Sequence, residues 1–557
     1  MKKLLALFAI LFLTSVSAFA KDGDKIRYLP VQDAGRIKPF DTFAKETLSL
    51  IYGKKSYKAK DDTTPVEAQW VVLTWMLSPE SWSNRPLFEV TYKQVLEALQ
   101  LDTSRKLFTG EELFGSKNFS NLMQELQNKR ESKEKLTPYF QAIQRIQNQF
   151  FVFQEMAQGR LLKVFPVPDK DAWLSVAEIP AEAQPVFFEI SKNVATYLGA
   201  STDPSVTKEQ LKEVALKLDQ SVLAFEELAS KSDPAKYAVE KQMKTEVFYN
   251  DLHPFRLAYI FYLLASLTLL FIWIRNLDKG MKLAWILVGV GFFLHLLGFA
   301  FRIYLSGRPP VSNMYETVVW ASFGVVMFSI ILEYVYRFKV ILLAGSLMGL
   351  FALIVADSAP AILDPSLQPL EAVLRSNYWL VVHVMTISIS YAAFLLAFSL
   401  GDLGLVYYVI DEHKHAEKIQ KITIGVYRAM QIGVAFLAPG IILGGVWADY
   451  SWGRFWGWDP KETWALIVLL GYIVVLHMRL IGWLKNFGTL ASGVITFSLV
   501  IMAWYGVNFV LGAGLHSYGF GAGGVEYVSV FVGLHFLFCA YSYIIHYHRK
   551  SLDKKAS

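Results

Sequence analysis

The chain has 557 residues, a net charge of +6 and 15% aromatic residues, with a mean hydropathy of +0.34. This composition excludes an ordinary soluble enzyme and indicates a membrane protein with a substantial part outside the bilayer. A single cysteine, Cys539, excludes intrachain disulfides, a C-x-x-C redox pair, a cysteine zinc site and a C-x-x-C-H attachment motif.

Residues 1–20 read as a secretory signal. Lys2 and Lys3 precede an apolar run from Leu4 to Leu13, and Ala18-Phe19-Ala20 is a small-x-small cleavage site. An uncleaved signal anchor is the alternative, and either version places the following segment outside the cytoplasm. Residues 21–250 are polar and long enough to form a separate extracytoplasmic domain, expected to be mostly helical. In 207–230, Leu211, Val214, Leu218, Val222, Phe225 and Leu228 recur at helical spacing. A second helical stretch covers about 119–158 and is interrupted by Pro138. Pro166 and Pro168 make 162–173 extended or loop. This region shows no clear catalytic constellation, and its charge runs, such as Lys129 to Lys135, read as solvated helix faces.

From His253 onward the sequence predicts a polytopic helical bundle. A span needs about 20 apolar residues. Nine are expected: 254–274, 283–303, 316–335, 340–356, 379–400, 429–446, 463–484, 489–510 and 526–546. If the first domain is outside, every second linker is cytoplasmic. Those linkers carry Arg275, Lys279 and Lys282; Arg337 and Lys339; Lys414, Lys418, Lys421 and Arg428; Arg479 and Lys485; and, in the tail, Arg549, Lys550, Lys554 and Lys555. The opposite loops are poorer in basic residues, so parity and the positive-inside rule agree. The membrane region is read as 251–548 and the cytoplasmic tail as 549–557.

Between the sixth and seventh spans lies the stretch 447–464, W-A-D-Y-S-W-G-R-F-W-G-W-D-P-K-E-T-W. It holds Trp447, Trp452, Trp456, Trp458 and Trp464, five of the fifteen tryptophans, with Asp449, Arg454, Asp459, Lys461 and Glu462 among them. An interfacial aromatic belt explains one or two such rings per helix end. Five in one loop suit a stacking platform for a large flat ligand that carries some charge. His383, at the outer end of the fifth span, and His516, in the loop after the eighth, share that face in this topology. His477 falls in the inner half of the seventh span and His295 near the middle of the second. An intramembrane histidine is a functional candidate because burying it is costly, although a neighbouring helix can satisfy it. Haem suits the constellation. Its iron takes axial imidazoles, its ring stacks on aromatic side chains, and its propionates need cations such as Arg302, Arg308, Arg375, Arg454 and Lys461. Each ligating imidazole also needs a partner for its second nitrogen. His413, His415, His546, His548 and His253 read as ordinary linker or interfacial residues.

These residues are recognisable. W-G-R-F-W-G-W-D-P-K-E-T-W-A-L-I resembles the WWD signature of haem-handling membrane proteins, and its tail is similar to the CcsA/ResC type of System II cytochrome c synthase. S-G-R-P-P-V-S-N-M-Y-E-T (306–317), S-N-Y-W-L-V-V-H-V (376–384), V-L-H-M-R-L (475–480) and N-F-V-L-G-A-G-L-H-S-Y-G (508–519) extend the resemblance over about 253–548. It implies that His383 and His516 are the external haem ligands and that His477 holds haem on its way out. P-V-Q-x-x-G-R-I-K-P-F-D-T in the first domain resembles the stretch joining the two parts of fused CcsB–CcsA synthases. The CcsB (ResB) spans are absent from this sequence. Either a separate CcsB/ResB-like subunit supplies the partner of the internal histidine, or the internal site uses another residue such as His295.

The function so implied is cytochrome c biogenesis in a bacterial inner membrane, with the WWD stretch and residues 21–250 on the periplasmic side. The chain would export haem b and, as a holocytochrome c synthase (haem lyase) subunit, attach it to the CxxCH motif of apocytochrome c. Other proteins would keep the substrate thiols reduced. No catalytic base is identified; Asp459 and Glu462 are expected to orient the loop, and no nucleic-acid partner is expected. The alternative is a haem exporter or chaperone without attachment activity.

Overall fold

The computed structural model describes residues 23–59, 64–132, 136–237, 239–275, 277, 279–358, 363–369, 378–511 and 524–556. The signal sequence, Arg375 and His516 lie outside the described residues. The chain divides into two units at Leu252 and His253.

The first unit is helical with four two-stranded sheets among its described residues. Strands β1 (Pro30–Asp33) and β2 (Arg36–Pro39) form a hairpin that leads into helix α1 (Phe40–Tyr52). Helix α2 (Ala68–Leu77) is apolar on nearly all sides and buried. The expected 119–158 stretch is two helices, α3 (Lys117–Glu131) and α4 (Pro138–Ala157). Pro138 opens α4 at its first position, where a missing N–H costs nothing. The expected loop at 162–173 contains a short strand, Lys163–Phe165, paired with Leu174–Ser175. Helix α5 (Gln184–Thr202) packs on α6 (Lys208–Ser232), which Thr207 caps. The buried line of α6 is Ala215, Leu218, Val222, Phe225 and Ala229; Leu211, Val214 and Leu228 sit at its half-buried edge. The unit ends with α7 (Glu240–Leu252).

Ion pairs close this unit around its hairpin. Arg36 grips Glu246 of α7 with two contacts of 2.8 Å. Arg27 reaches Asp41 at 3.0 Å and Asp251 at 2.6 Å. The buried Lys38 ammonium bonds Asp33 at 2.7 Å and Glu46 at 2.6 Å. Burial opposes ionisation of Asp41, but Lys45 and Arg27 outweigh it and hold its carboxyl below the usual range.

The second unit contains the membrane spans. Among the described residues of the chain, nine helices are long and apolar enough to cross a membrane. They are α8 (Pro254–Arg275), α9 (Met281–Ser306), α10 (Met314–Tyr336), α11 (Val340–Ser358), α12 (Tyr378–Asp411), α13 (Ala416–Trp452), α14 (Pro460–Leu480), α15 (Asn486–Ile501, continued as a π-helix over Met502–Leu511) and α16 (Val525–Ala556). This is a polytopic, mainly helical membrane protein. Three helices run well past their apolar windows: α12 has 34 residues, α13 has 37 and α16 has 32. Hydropathy detects only the stretch suited to lipid, whereas charged turns stay helical with local support such as Glu417–Lys421.

Small residues let the helices approach, as expected where packing rather than hydrophobicity drives association. Gly433 of α13 lies against the Phe394 ring of α12, and Gly440 against Ile387. Gly401 and Gly404 of α12 receive Leu490 and Val494 of α15. Phe394 stacks on Tyr472 of α14 at 3.7 Å between ring centroids.

Candidate functional site

The aromatic stretch is only partly a loop. Helix α13 continues through Trp452, because Trp447 and Ala448 turn into the bundle while Asp449 and Tyr450 face outward. Gly453, at φ +67°, ends it. The expectation of one continuous outer loop over 447–464 is corrected accordingly. Trp447 is 1% exposed and meets the Trp452 ring at 4.7 Å and 67°. Trp456 and Trp458 are perpendicular at 5.7 Å. Trp458 is 69% exposed. Its φ of +57° is uncommon for a bulky side chain. Trp464, in the first turns of α14, is half-buried. The five rings therefore do not form one flat plane.

The charged residues in this stretch fold it. Asp459 caps α14, with Pro460 at the first position and Glu462 completing a capping box. Glu462 accepts the N–H groups of Gly457 at 2.8 Å and Asp459 at 3.2 Å, and pairs with Arg454 at 3.1 Å. Arg454 lies 5.7 Å over the Trp452 ring. Lys461 donates to Asn508 at 3.2 Å, which ties the start of α14 to the π-helix leading toward His516. A π-helix among α-turns is rare and frequent at functional sites.

His383, the sixth residue of α12, meets α13 just before the aromatic stretch. Its Nδ1–H donates to the Gly440 carbonyl at 2.7 Å. The Gly440 carbonyl pairs with Nδ1, and the contact makes Nε2 the lone-pair nitrogen. The ring lies against Gly444, three residues before Trp447. Gly445 beside it seats Phe455. The structure thus brings together His383 and the Trp447 end of the stretch.

His477 is three residues from the C-terminal end of α14 and exposed. Its Nδ1–H donates to the Ile473 carbonyl at 2.8 Å. His295 is enclosed by Phe255, Phe299 and Phe323. Its Nε2–H donates to the Val319 carbonyl at 3.1 Å, and Nδ1 accepts from the Tyr262 hydroxyl at 3.2 Å. Both His295 nitrogens are engaged.

Arg302 and Arg308 are not disposed to meet a ligand. Glu316 lies between them, 2.7 Å from Arg302 and 3.0 Å from Arg308. A second guanidinium nitrogen of each reaches a carbonyl, Arg302 that of Pro365 and Arg308 that of Gln368, which ties the 306–317 motif to the segment 363–369. Sequence reasoning missed His535 of α16, which faces Asp402 of α12 at 3.3 Å. Two intramembrane polar residues in apolar runs were the available signal. The seat made by Gly440, Gly444 and Gly445 was also missed; a G-x-x-x-G-G run just before Trp447 was its signal.

These features define a polytopic helical membrane protein with a histidine docked beside a Trp-rich, self-capped helix start. A family described as cytochrome c assembly protein matches residues 311–516. CcsA, a cytochrome c biogenesis protein of Synechococcus sp. (strain CC9902), is 32% identical over 286 residues, 46% of this chain and 93% of that protein. CcsA of Chlamydomonas reinhardtii is 34% identical over 252 residues, 43% of this chain and 70% of that protein. Protein NrfI of Wolinella succinogenes is 27% identical over 509 residues, 87% of this chain, so that likeness extends well into the first unit. The chain spans about half of NrfI, 53% of its length. The chain belongs to the CcsA-type cytochrome c assembly family.

Proposed function

We propose that this protein is the haem-handling subunit of a cytochrome c synthase in a bacterial inner membrane. Haem b is its substrate, held at the outer face by His383 and His516 and taken up from the inner side at His477. The observation that carries this reading is the placement of His383: its Nδ1 is bound by Gly440, and its ring rests one turn before Trp447. Trp452, which meets the Trp447 ring, and Trp456, Trp458 and Trp464 further along the stretch are assigned to the aromatic faces that take haem, with Asp459 capping the helix that follows them.

An apocytochrome c then presents CxxCH, and its histidine displaces one axial ligand. Each thiol adds across a haem vinyl group, sulfur to the α-carbon and the proton to the β-carbon, with no net oxidation. The protein contributes position and exclusion of water; the addition chemistry belongs to haem and thiol. Asp459 and Glu462 are engaged in the cap, so neither is assigned as a base. Reduced thiols come from other proteins.

A CcsB/ResB-like subunit completes the inner site. The support is the exposed position of His477 beside Val474 and Leu480 on a face suited to lipid, since a polar ring turned to lipid is costly. His295 is assigned a structural role, because ligation would break a hydrogen bond in an enclosed site. Residues 21–250 and the WWD stretch are assigned to the periplasmic side.

The test is co-expression with a CcsB-type subunit and a c-type apocytochrome in a host without its own maturation system. Covalent haem on the cytochrome is the expected result, lost in His383→Gly and His516→Gly. Haem on this chain with no attachment points instead to an exporter. If the double variant keeps an unchanged haem spectrum while His477→Ala loses all haem, the outer ligands are wrongly assigned.

A further inference from the structure

Two glycines of α13 stand one helical turn apart on the side that meets α12. The Gly440 carbonyl accepts Nδ1–H of His383 at 2.7 Å. A carbonyl only accepts, so this contact selects one imidazole tautomer and leaves Nε2 as the nitrogen able to bind iron. At Gly444 the imidazole itself occupies the space of a side chain. A Cβ there would fall 2.5 Å from Cε1, 2.8 Å from Nδ1 and 3.1 Å from Nε2. Not even a methyl group fits without moving the ring. On the adjoining glycine, a Cβ at Gly445 would fall 2.5 Å from Cζ of Phe455. One turn of helix therefore sets both the imidazole and a ring of the aromatic stretch.

The geometry points to Gly440 and Gly444 as the positioning seat of the outer iron-ligating histidine: Gly440 fixes the tautomer, Gly444 fixes the ring plane, and Nε2 meets haem already oriented. This rests on the reading of His383 as a haem ligand. A ligating histidine whose second nitrogen loses its partner or its orientation typically loses about 10–100-fold in metal affinity. Gly444→Ala acts through the position of the ring, while the ligand itself remains in the chain.

The experiment uses the full chain purified with its co-expressed partner from haem-replete cells. The readouts are the optical and electron paramagnetic resonance spectra, haem content and yield, with free imidazole as the added probe. The expected wild-type state is low-spin and six-coordinate. Gly444→Ala is expected to shift haem toward high spin or lower its content by about tenfold or more, and added imidazole is expected to restore the low-spin spectrum. The double variant His383→Gly/Gly444→Ala has no ring to displace, so it should match His383→Gly in yield, haem content and imidazole response. If Gly444→Ala fails to accumulate but the double variant does, the seat is supported, because the collision is with the ring. Failure of both, or haem content in the double variant below that of His383→Gly, makes Gly444 a packing residue and overturns the proposal. A wild-type spectrum in Gly444→Ala overturns it as well. If His383→Gly itself keeps the wild-type spectrum, the ligand reading and the seat fall together. If His383→Gly loses the low-spin signal while Gly444→Ala keeps it, only the seat falls.

Discussion

His295 gives Nε2–H to the Val319 carbonyl and takes the Tyr262 hydroxyl at Nδ1, and His383 and His477 each give Nδ1–H to a carbonyl. The three residues look alike in sequence, each an imidazole in an apolar run. Their hydrogen-bond partners tell them apart: facing helices for His295 and His383, its own helix for His477. Glu226 is a further case of environment deciding behaviour. It lines a cavity in the first unit with Tyr28, Tyr237 and Met243. Burial pushes its carboxyl up from the ordinary 4.5 to about 7. A raised folded-state pKa means that the folded protein holds this proton more tightly than the unfolded chain. The contribution to stability is then greatest below about pH 4.5 and is lost as pH rises through about 7. Glu226→Gln should melt like the wild type near pH 4.5 and at a higher temperature near pH 8. Thermal unfolding of the full chain across this range is the measurement, and equal loss of stability in both proteins would remove Glu226 as the group responsible.

At the scale of elements, the nine spans were legible because each needs a long apolar run, a signal that no soluble helix mimics. Helix ends were not legible. The cap formed by Asp459 and Glu462 and the stop at Gly453 are local polar events that hydropathy averages away. The docking of α16 was also hidden. Only 11% of its most apolar window is buried, the smallest share of the nine candidate spans. Polar contacts to α12 and the turn after it fasten it: His535 to Asp402, His546 to Glu412, and Arg549 to the Val409 and Ile410 carbonyls. His535 gives Nδ1–H to the Phe531 carbonyl at 2.7 Å, so Nε2 attracts Asp402 only when a proton lies between them. Phe398 and Phe531 pack on the imidazole, so removing it takes the partner from Asp402 and leaves apolar rings in its place. His535→Ala should therefore cost about 1–2 kcal/mol, and Asp402→Leu in the same chain should recover most of it. Asp402→Asn should be nearly neutral, because the amide can donate to Nε2. A double-mutant cycle of melting temperatures in detergent measures this. Additive effects of His535→Ala and Asp402→Leu in that cycle would show that the pair carries no coupling.

At the scale of the molecule, the sequence read a polar part before an apolar part from composition alone, and the chain divides at Leu252 and His253. The polar part carries a core of its own. Its buried cluster runs from Ile26 to Tyr237 and includes Phe40, Trp75, Phe108 and Phe225, all within the first unit. At about 230 residues, such a unit is large enough to bury most of its apolar surface without help from another domain. The closing contacts are internal too: Arg36 ends on Glu246, and Arg27 ends on Asp251, in the last helix of the unit. A fragment covering residues 23–252 should therefore be soluble and helical, and should unfold in one cooperative transition followed by circular dichroism. A fragment ending at residue 238 keeps the buried cluster but strands Arg36 beside an interior from which Glu246 has been removed. Breaking a pair of that burial costs about 3 kcal/mol, so the shorter fragment should melt at a clearly lower temperature. Arg36→Met in the shorter fragment should restore part of the loss, since no unpaired guanidinium is then left in the interior. A longer fragment that is helical but melts without a cooperative transition would mean that the first unit depends on the membrane bundle for its fold.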